Sequence, residues 1–461
     1  MTQDVAPRET VTPEGRRAII GAILGFVVDF YDIYLPLVAL APAISYFEPK
    51  DLPKSTVTTL FYVVFAVTLI GRPIGAIIFG HFADRIGRKQ ATMVSVAGFA
   101  VMTLLIAVLP GYETLGMAAL VLLIIFRLLD GIFLGGEYTS NNTLAMEYCP
   151  KHLRGFVGGL IQSAYPIAYV GISLFTAIML AALPHEGPDS PYVQWGWRIP
   201  FFVGALIAFV FLIWYRNVPE SRMWTDTKKS SAPLRELLRG QNLRNFLQVF
   251  VLMTGFWLQT QAVTSVLPGL LIQTLKLPSA IVTNALLVAN LVLIGGYLAA
   301  ALLGQRFGRR RMLIIFGAIT LILGCTLYFF AVRNALAGGS LIGTLALASL
   351  VVLLCTSPWA LATTYVNERF PTHIRSSGYG VGYSLAVIIP SFYSFYLLGL
   401  AKIMPYAYTQ IVLLVFCGLF VMLGAALGPE TKDVDLREVG KEPAKEVAPA
   451  GAGAETGGSS G

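Results

Sequence analysis

Charged residues are scarce in this chain of 461 residues: they make up 13% of it, whereas hydrophobic residues make up 56%. Soluble domains carry about 25% charged residues, so this composition excludes a soluble globular protein. It also excludes disorder over most of the chain, because disordered segments are poor in hydrophobic residues. The composition therefore indicates a protein that resides in a lipid bilayer.

Cysteine is scarce as well, and its four copies lack the spacing of a metal site or a disulfide framework. The four histidines are scattered, and the sequence has no Walker-type phosphate loop. No nucleophile–base pair is visible. We therefore expect no metal, no other cofactor and no enzymatic activity, with an ion gradient rather than ATP as the energy source.

Long apolar runs are the main feature of the sequence. A membrane-spanning helix needs about 20 mainly apolar residues, and runs of this kind follow one another along the chain without strand-like alternation. The predicted fold class is an all-α membrane protein. Its twelve predicted transmembrane helices lie at about 18–46, 57–82, 90–109, 115–147, 154–183, 198–217, 244–274, 281–304, 312–332, 339–367, 376–402 and 406–428.

The positions of the basic residues predict the orientation. Most of the 33 Lys and Arg fall on cytoplasmic segments if both termini are cytoplasmic, as the positive-inside rule requires. We therefore expect a plasma (cytoplasmic, inner) membrane protein with both termini inside, and the net charge of +8 implies no nucleic-acid partner. The segment between spans six and seven is the richest in basic residues, with Arg216, Arg222, Lys228, Lys229, Arg235, Arg239 and Arg244.

Two motifs recur with a separation of 221 residues, which predicts an internal duplication. Residues 84–88 match 305–309, and Glu147-x-x-Pro-x-x-x-Arg154 matches Glu368-x-x-Pro-x-x-x-Arg375. Both halves begin on the same side, so the sequence predicts two six-helix bundles in a parallel pseudo-repeat. The predicted domains are 1–217, a cytoplasmic linker at 218–243, a second bundle at 244–428, and a disordered cytoplasmic tail at 429–461.

Residues 80–89 resemble the loop signature G-x-x-x-D-R-x-G-R-[RK] of the major facilitator superfamily, and the resemblance covers residues 16–430. The second copy carries Gln305 where the signature has an acid. Within the superfamily the chain is most similar to the metabolite:proton symporter family. That similarity rests on Asp29-Phe-Tyr-Asp32, Gly71-Arg72-Pro-x-Gly75 and Arg127-x-x-x-Gly131-x-x-x-Gly135-Gly-Glu137-Tyr138.

The repeated polar motifs predict a gate on the cytoplasmic side. Asp84 is expected to accept hydrogen bonds from a facing helix N-terminus and to pair with Arg88. Such a cluster must break when that side opens, so it would set the balance between conformers. The predicted gate residues are Asp84, Arg85, Arg88, Glu147, Arg154, Glu368 and Arg375.

Charges deep in the membrane are confined to the first half, where each costs at least about 2.5–3.5 kcal/mol. The predicted proton-coupling residues are Asp32, Asp29, Glu137, Arg127 and Asp130, with Asp32 as the main carrier. The alternative interpretation is a permanent ion-pair network that packs the helices, with Arg127 bonded to Asp130 at i,i+3.

An arginine fork matches a carboxylate, so the deep arginines favour an organic anion as substrate. The predicted function is uptake of a small metabolite, an organic acid, coupled to proton influx by alternating access. The alternative is a proton-coupled sugar or zwitterionic osmolyte symporter. We expect a monomer whose partners are the bilayer, protons and a small molecule. The predicted substrate-binding residues are Arg127, Arg72, Tyr34, Gln162, Tyr165, Gln259, Asn290, Trp359 and Tyr383.

Overall fold

The structure is a computed structural model that describes residues 10–49, 54–184 and 187–440, and their side chains except those of 54–63 and 65. These residues contain no strand and twelve helical segments long and apolar enough to cross a membrane, which confirms the predicted fold class. The segments are α1 (Pro13–Phe47), α2 (Lys54–Ile86), α3 (Arg88–Val108), α4 (Met117–Tyr148), α5 (Lys151–Ala182), α6 (Tyr192–Tyr215), α7 (Gly240–Thr274), α8 (Ser279–Phe307), α9 (Arg309–Leu336), α10 (Leu341–Asn367), α11 (Thr372–Leu400) and α12 (Tyr406–Ala426).

Several spans are longer than a bilayer requires because they change helix type along their length. In α1 the α-helix ends at Tyr34 and continues as wider and then tighter turns up to Phe47. In α7 wide turns occupy Thr260–Val266 and Leu270–Thr274. Prolines at 36, 42 and 268 lie in or beside these stretches, where a missing N–H donor interrupts the regular ladder.

Glycines let α2 and α4 approach each other at backbone distance. A Cβ at Gly75 would lie 1.8 Å from the carbonyl oxygen of Ile132, and one at Gly135 would lie 2.3 Å from the carbonyl oxygen of Arg72. Such small-residue contacts are typical of membrane helix pairs. Here they place Arg72 directly against α4.

The start of α1, the linker between α6 and α7, and the end of α12 lie on one side of the bundle, which we call the terminal side. Arg222 of the linker bonds Glu14 at the start of α1, with an N–O distance of 2.6 Å. The linker contains two short helices, Arg222–Thr225 and Pro233–Leu237. We call the opposite side the far side.

The prediction of a disordered tail from residue 429 is wrong for its first part. Residues 431–440, which we call the strap, pack against the terminal side, and Leu436 within them is fully buried. The backbone oxygen of Val434 accepts from Arg154 at 2.9 Å, and that of Leu436 accepts from Arg375 at 2.7 Å. Side-chain donors from both halves therefore hold the strap, which composition alone does not reveal. Residues 441–461 of the predicted tail lie outside the described residues.

Candidate functional site

The first half contains a three-membered ion-pair group in the membrane interior, the Arg127 triad. Arg127 Nη1 lies 3.1 Å from Asp32 Oδ1 and 2.9 Å from Asp130 Oδ2. Its Nε donates to Thr68 at 3.0 Å, and the hydroxyl of Thr103 donates to Asp32. The guanidinium thus joins α1, α2 and α4, and the i,i+3 contact with Asp130 occurs as one sequence interpretation expected.

A second pair lies beside it and links α2 to α1. Arg72 Nη2 is 3.2 Å from Asp29 Oδ2, and the Arg72 guanidinium stacks 4.6 Å above the ring of Tyr138. Asp29 is fully buried and Arg72 nearly so. Among the described residues, Asp29 Oδ1 and Arg72 Nε have no hydrogen-bond partner. In this pair, Arg72 Nε is therefore an unused donor and Asp29 Oδ1 an unused acceptor.

Glu137 is the fourth buried carboxyl of this region. Its Oε1 accepts from Asn141 at 2.7 Å, and Asn141 accepts in turn from the Tyr215 hydroxyl at 2.9 Å. Its Oε2 has no hydrogen-bond partner among the described residues. Asp29, Asp32, Asp130 and Glu137 together face two guanidiniums, so the cluster is neutral when it holds two protons. The cluster therefore contains two more carboxyls than guanidiniums.

A cavity of about 60 Å³ lies between the two halves and borders this cluster. Among its described lining residues Arg72 is the one charged side chain. Aromatic rings form a large part of the wall. The rings of Trp257, Trp359 and Tyr383 pack with centroids 5.2–5.7 Å apart. The site therefore offers one guanidinium, several hydroxyl and amide groups, and flat apolar surfaces.

Six of the nine predicted substrate residues line this cavity, and three do not. Arg127 is fully buried in its triad and outside the cavity wall. Gln259 lies behind the wall, where its Oε1 accepts from Trp359 Nε1 at 2.6 Å. Asn290 lines a smaller neighbouring cavity of about 20 Å³. The six lining residues are Tyr34, Arg72, Gln162, Tyr165, Trp359 and Tyr383.

Sequence reasoning missed Trp257 and Tyr297, which also line the cavity. Both lie in apolar runs, where an aromatic residue gives no signal of which way it faces. Trp257 and Gln261 are four residues apart on α7, so they share a helix face. That spacing is the one signal that could have found Trp257.

A dense polar layer joins the halves between the cavity and the terminal side. Asp84 accepts from the backbone N–H groups of Ser376 and Ser377 at the start of α11, at 3.1 and 2.8 Å, and pairs with Arg88 at 3.2 Å. Glu147 pairs with Arg375 across the halves at 2.8 Å. These contacts join the two halves on the terminal side, and the role of a gate stays a prediction.

The second motif copy makes the equivalent contacts with the halves exchanged. Gln305 Oε1 accepts from the backbone N–H of Gly155 at 2.8 Å, and Gly155 corresponds in the repeat to Ser376. Glu368 lies 3.6 Å from Arg154 and 3.3 Å from Arg309. Gln305 thus keeps the hydrogen bond of Asp84 without its charge.

One predicted gate residue lies outside this layer. Arg85 is exposed and its guanidinium contacts His81 of its own helix at 3.4 Å, rather than the second half. The signature places Asp84 and Arg85 side by side, but neighbouring residues on a helix point in directions about 100° apart, so only one of them can face the other half.

Two glutamates that sequence reasoning missed cap helices on the terminal side. Glu220 accepts from the backbone N–H of Arg88 at 3.0 Å, and Glu430 accepts from that of Arg309 at 2.7 Å. Burial raises the pKa of the Glu220 carboxyl, while the N–H groups that it accepts from oppose this shift. Each glutamate follows a proline, so the repeated Pro-Glu pair was a visible signal.

Two repeated six-helix bundles around a central cavity, closed on one side by ion pairs, define a membrane transport protein. The chain belongs to the major facilitator superfamily: the model of that family matches residues 19–394. This placement confirms the predicted family and a transporter rather than an enzyme, and it makes the chain an integral membrane protein.

Similar proteins with assigned substrates are also transporters. The alpha-ketoglutarate permease of Escherichia coli (strain K12) is 32% identical over 379 residues, which cover 80% of this chain and 83% of the permease. The shikimate transporter of the same organism is 30% identical, and the match covers 81% of this chain and 85% of that transporter. A proline/betaine transporter from that organism is 26% identical, and the match covers 82% of this chain and 77% of that transporter.

The fold matches solved structures of the superfamily. The proton:xylose symporter XylE bound to 6-bromo-6-deoxy-D-glucose superposes with a TM-score of 0.73 at 19% identity, over 93% of this chain and 99% of that one. The inward-open conformation of XylE from E. coli gives a TM-score of 0.61. At this level of identity the likeness concerns the fold.

Proposed function

We propose that the protein is a proton-coupled symporter of small organic acids that works by alternating access. The observation that carries this proposal is Arg72, the one charged side chain among the described residues lining the central cavity. A guanidinium pairs with a carboxylate through parallel hydrogen bonds, and the aromatic wall supplies apolar contact for the rest of a small molecule.

Proton coupling is assigned to the Arg127 triad, with Asp32 as the carrier. Asp32 and Asp130 share one guanidinium, so adding a proton to Asp32 removes a charge that Arg127 otherwise holds. Such a change alters how strongly α1 is bound to α4, and a ligand that binds two conformers unequally shifts their balance. Asp29 and Glu137 are the further candidates.

We infer that the terminal side faces the cytoplasm. The linker between α6 and α7 carries the densest group of basic side chains, and such segments stay inside. In this orientation the closed polar layer separates the cavity from the cytoplasm. Reporter fusions at the linker and at the loop between α9 and α10 test it, and a linker accessible from outside the cell would contradict it.

The test of the substrate class is a thermal-shift screen on the purified chain at two pH values. α-Ketoglutarate, shikimate and benzoate are the carboxylate probes, and xylose is the neutral one. We expect carboxylates to raise Tm, with a response that varies with pH, and xylose to have no effect. Stabilisation by xylose alone would overturn the organic-acid assignment.

Two variants show where the carboxylate binds. Arg72→Gln removes the guanidinium of the cavity and should abolish the carboxylate response. Lys402→Gln removes one positive charge from an exposed far-side loop and should keep the response. An equal loss in both variants would place the effect in overall charge rather than in the cavity.

A zwitterionic osmolyte is the second candidate, because of the aromatic group formed by Trp257, Trp359 and Tyr383. Aromatic faces attract quaternary ammonium groups, and Arg72 would hold the carboxylate of such a molecule. Betaine is therefore added to the screen. A Tm response to betaine that exceeds the response to every singly charged acid would favour this candidate.

A further inference from the structure

Arg72 both lines the cavity and pairs with a buried acid, Asp29. It lines the cavity wall, whereas Asp29, which holds its Nη2 at 3.2 Å, lies behind that wall and is fully buried. Asp29 therefore acts on the cavity only through Arg72. A molecule in the cavity and the carboxyl of Asp29 can therefore contact the same guanidinium.

The geometry of the guanidinium makes these two ligands compete. Nη1 and Nη2 form one edge of the planar group, and this edge matches the two oxygens of a carboxylate. Nη2 holds Asp29 at 3.2 Å, whereas Nε is buried away from the cavity. A carboxylate that binds this edge with both oxygens takes the Nη2 donor that Asp29 uses.

Within the part of the chain that the structure describes, the surroundings give a displaced Asp29 no other cation. The titratable and charged groups that act on it are Arg72 from α2, Asp32 from its own helix, and Asp130, Glu137 and Tyr138 from α4. All but Arg72 are acids or a phenol. Arg127 is already bonded by Asp32 and Asp130. Like charges disfavour a free carboxylate at such a place.

We propose that the substrate carboxylate replaces Asp29 on Arg72 and that Asp29 takes up a proton as it is displaced. This inference rests on the proposed function and adds a second proton-binding carboxyl to it. The ion pair between Arg72 and Asp29 breaks, an ion pair between Arg72 and the substrate forms, and an aqueous proton bonds to an Asp29 oxygen. One negative and one positive charge enter together, so the net charge of the site is unchanged.

The two aspartates of α1 then have different tasks. The proton on Asp29 neutralises the substrate's own charge and is required for binding. The proton on Asp32 belongs to the Arg127 triad, which does not line the cavity, and is required for the change of conformation. Arg72 lies over Tyr138, whose hydroxyl bonds Ser384 of the second half, so loading of this site is also connected to the other half.

The test measures protons taken up on binding, by calorimetry of the purified full chain in buffers of different protonation enthalpy. The probes are α-ketoglutarate, shikimate and benzoate. The wild type should take up about one proton more per bound carboxylate than Asp29→Asn does. Its affinity should fall with rising pH, by up to about tenfold per unit.

In Asp29→Asn the guanidinium has lost its internal anion, so binding should become independent of pH and tighter than wild type at alkaline pH. A variant that had merely misfolded would not gain affinity. Asp32→Asn, which removes the other α1 carboxyl without touching Arg72, should keep the proton uptake on binding while losing proton-driven accumulation.

Failure of this inference is distinguishable from failure of the proposed function. If a carboxylate binds and Asp29→Asn keeps both the proton uptake and the pH dependence, Asp29 is not the exchanging group and the organic-acid assignment stands. Loss of the uptake in Asp32→Asn instead would assign that proton to the Arg127 triad. If no carboxylate probe binds the wild type, both proposals are overturned.

Discussion

At the scale of single residues, two deep arginines of the same chemistry have different surroundings. Arg127 is bonded by two aspartates and a threonine and lies outside the cavity. Arg72 has one aspartate and lines the cavity wall. A guanidinium held by two carboxylates has little left to offer a substrate, whereas one held by a single carboxylate can exchange it.

Asp32→Asn is the test of the triad in transport. An amide cannot carry a proton between conformers, so we expect proton-driven accumulation in proteoliposomes to fall to an inside-to-outside ratio of about one. Exchange of labelled for unlabelled carboxylate does not need net proton movement and should persist. Normal accumulation by this variant would remove Asp32 from the coupling mechanism.

Glu48 makes a pH dependence of stability testable on the far side. It follows the last turn of α1, is 2% exposed, and neither of its carboxyl oxygens has a hydrogen-bond partner among the described residues. Burial raises the pKa of this carboxyl from 4.5 to about 7. Because the folded state disfavours the ionised form, Glu48 lowers stability progressively as pH rises from about 4.5 to about 7.

Glu48→Gln removes a group that must ionise while buried. Its Tm should exceed that of the wild type at pH 8, and the two should agree at about pH 3.5, below the titration window. Thermal denaturation in the same detergent at both pH values measures this. An advantage of equal size at both pH values would show that packing, and not ionisation, causes the difference.

At the scale of elements, the repeat made the contacts on the terminal side predictable. It did not predict which side chains face the cavity. Glu147 and Arg375 belong to motifs that recur at a fixed separation, so their pairing across the halves could be expected. Which of Arg72 and Arg127 faces the cavity depends on how α2 and α4 are rotated. Their glycine contacts fix that rotation, and a single sequence does not report it.

The strap is a second feature that the sequence does not predict, because its composition is typical of a disordered segment. Residues 431–440 lie at the start of a segment rich in Gly, Ala and Glu, which is typical of disorder. They are ordered because their backbone oxygens accept from Arg154 and Arg375, which come from different halves. Hydrogen bonds to charged groups contribute about 1.5–3 kcal/mol each.

Truncation after Lys432 removes both of these acceptors and keeps Glu430, which caps α9. We expect a lower Tm and faster alkylation of a cysteine placed in the polar layer from the terminal side. Truncation after Gly440 keeps the whole strap and serves as the matched control. Equal alkylation rates in the two truncations would mean that the strap has no part in closing that side.

At the scale of the whole molecule, the polar layer is symmetric in position and asymmetric in charge. Asp84 gives α11 two charged hydrogen bonds, whereas Gln305 makes two neutral hydrogen bonds to α5 at the equivalent place, one of them long at 3.5 Å. Charge-assisted hydrogen bonds are roughly twice as strong as neutral ones. The α2–α11 contact should therefore contribute more than the α8–α5 contact to holding the terminal side closed.

Spin-label distances between the halves on the terminal side can compare Asp84→Ala with Gln305→Ala. Loss of two charged hydrogen bonds and one pairing with Arg88 should shift most molecules to the longer distance, because a few kcal/mol suffices to reverse a two-state balance. Loss of two neutral hydrogen bonds between the halves, each about 0.5–1.5 kcal/mol, should shift a smaller fraction, because the bond from Arg309 that is also lost lies within one half. If Gln305→Ala opens the terminal side as far as Asp84→Ala does, charge does not decide the balance, and the two halves contribute equally to closure despite their different chemistry.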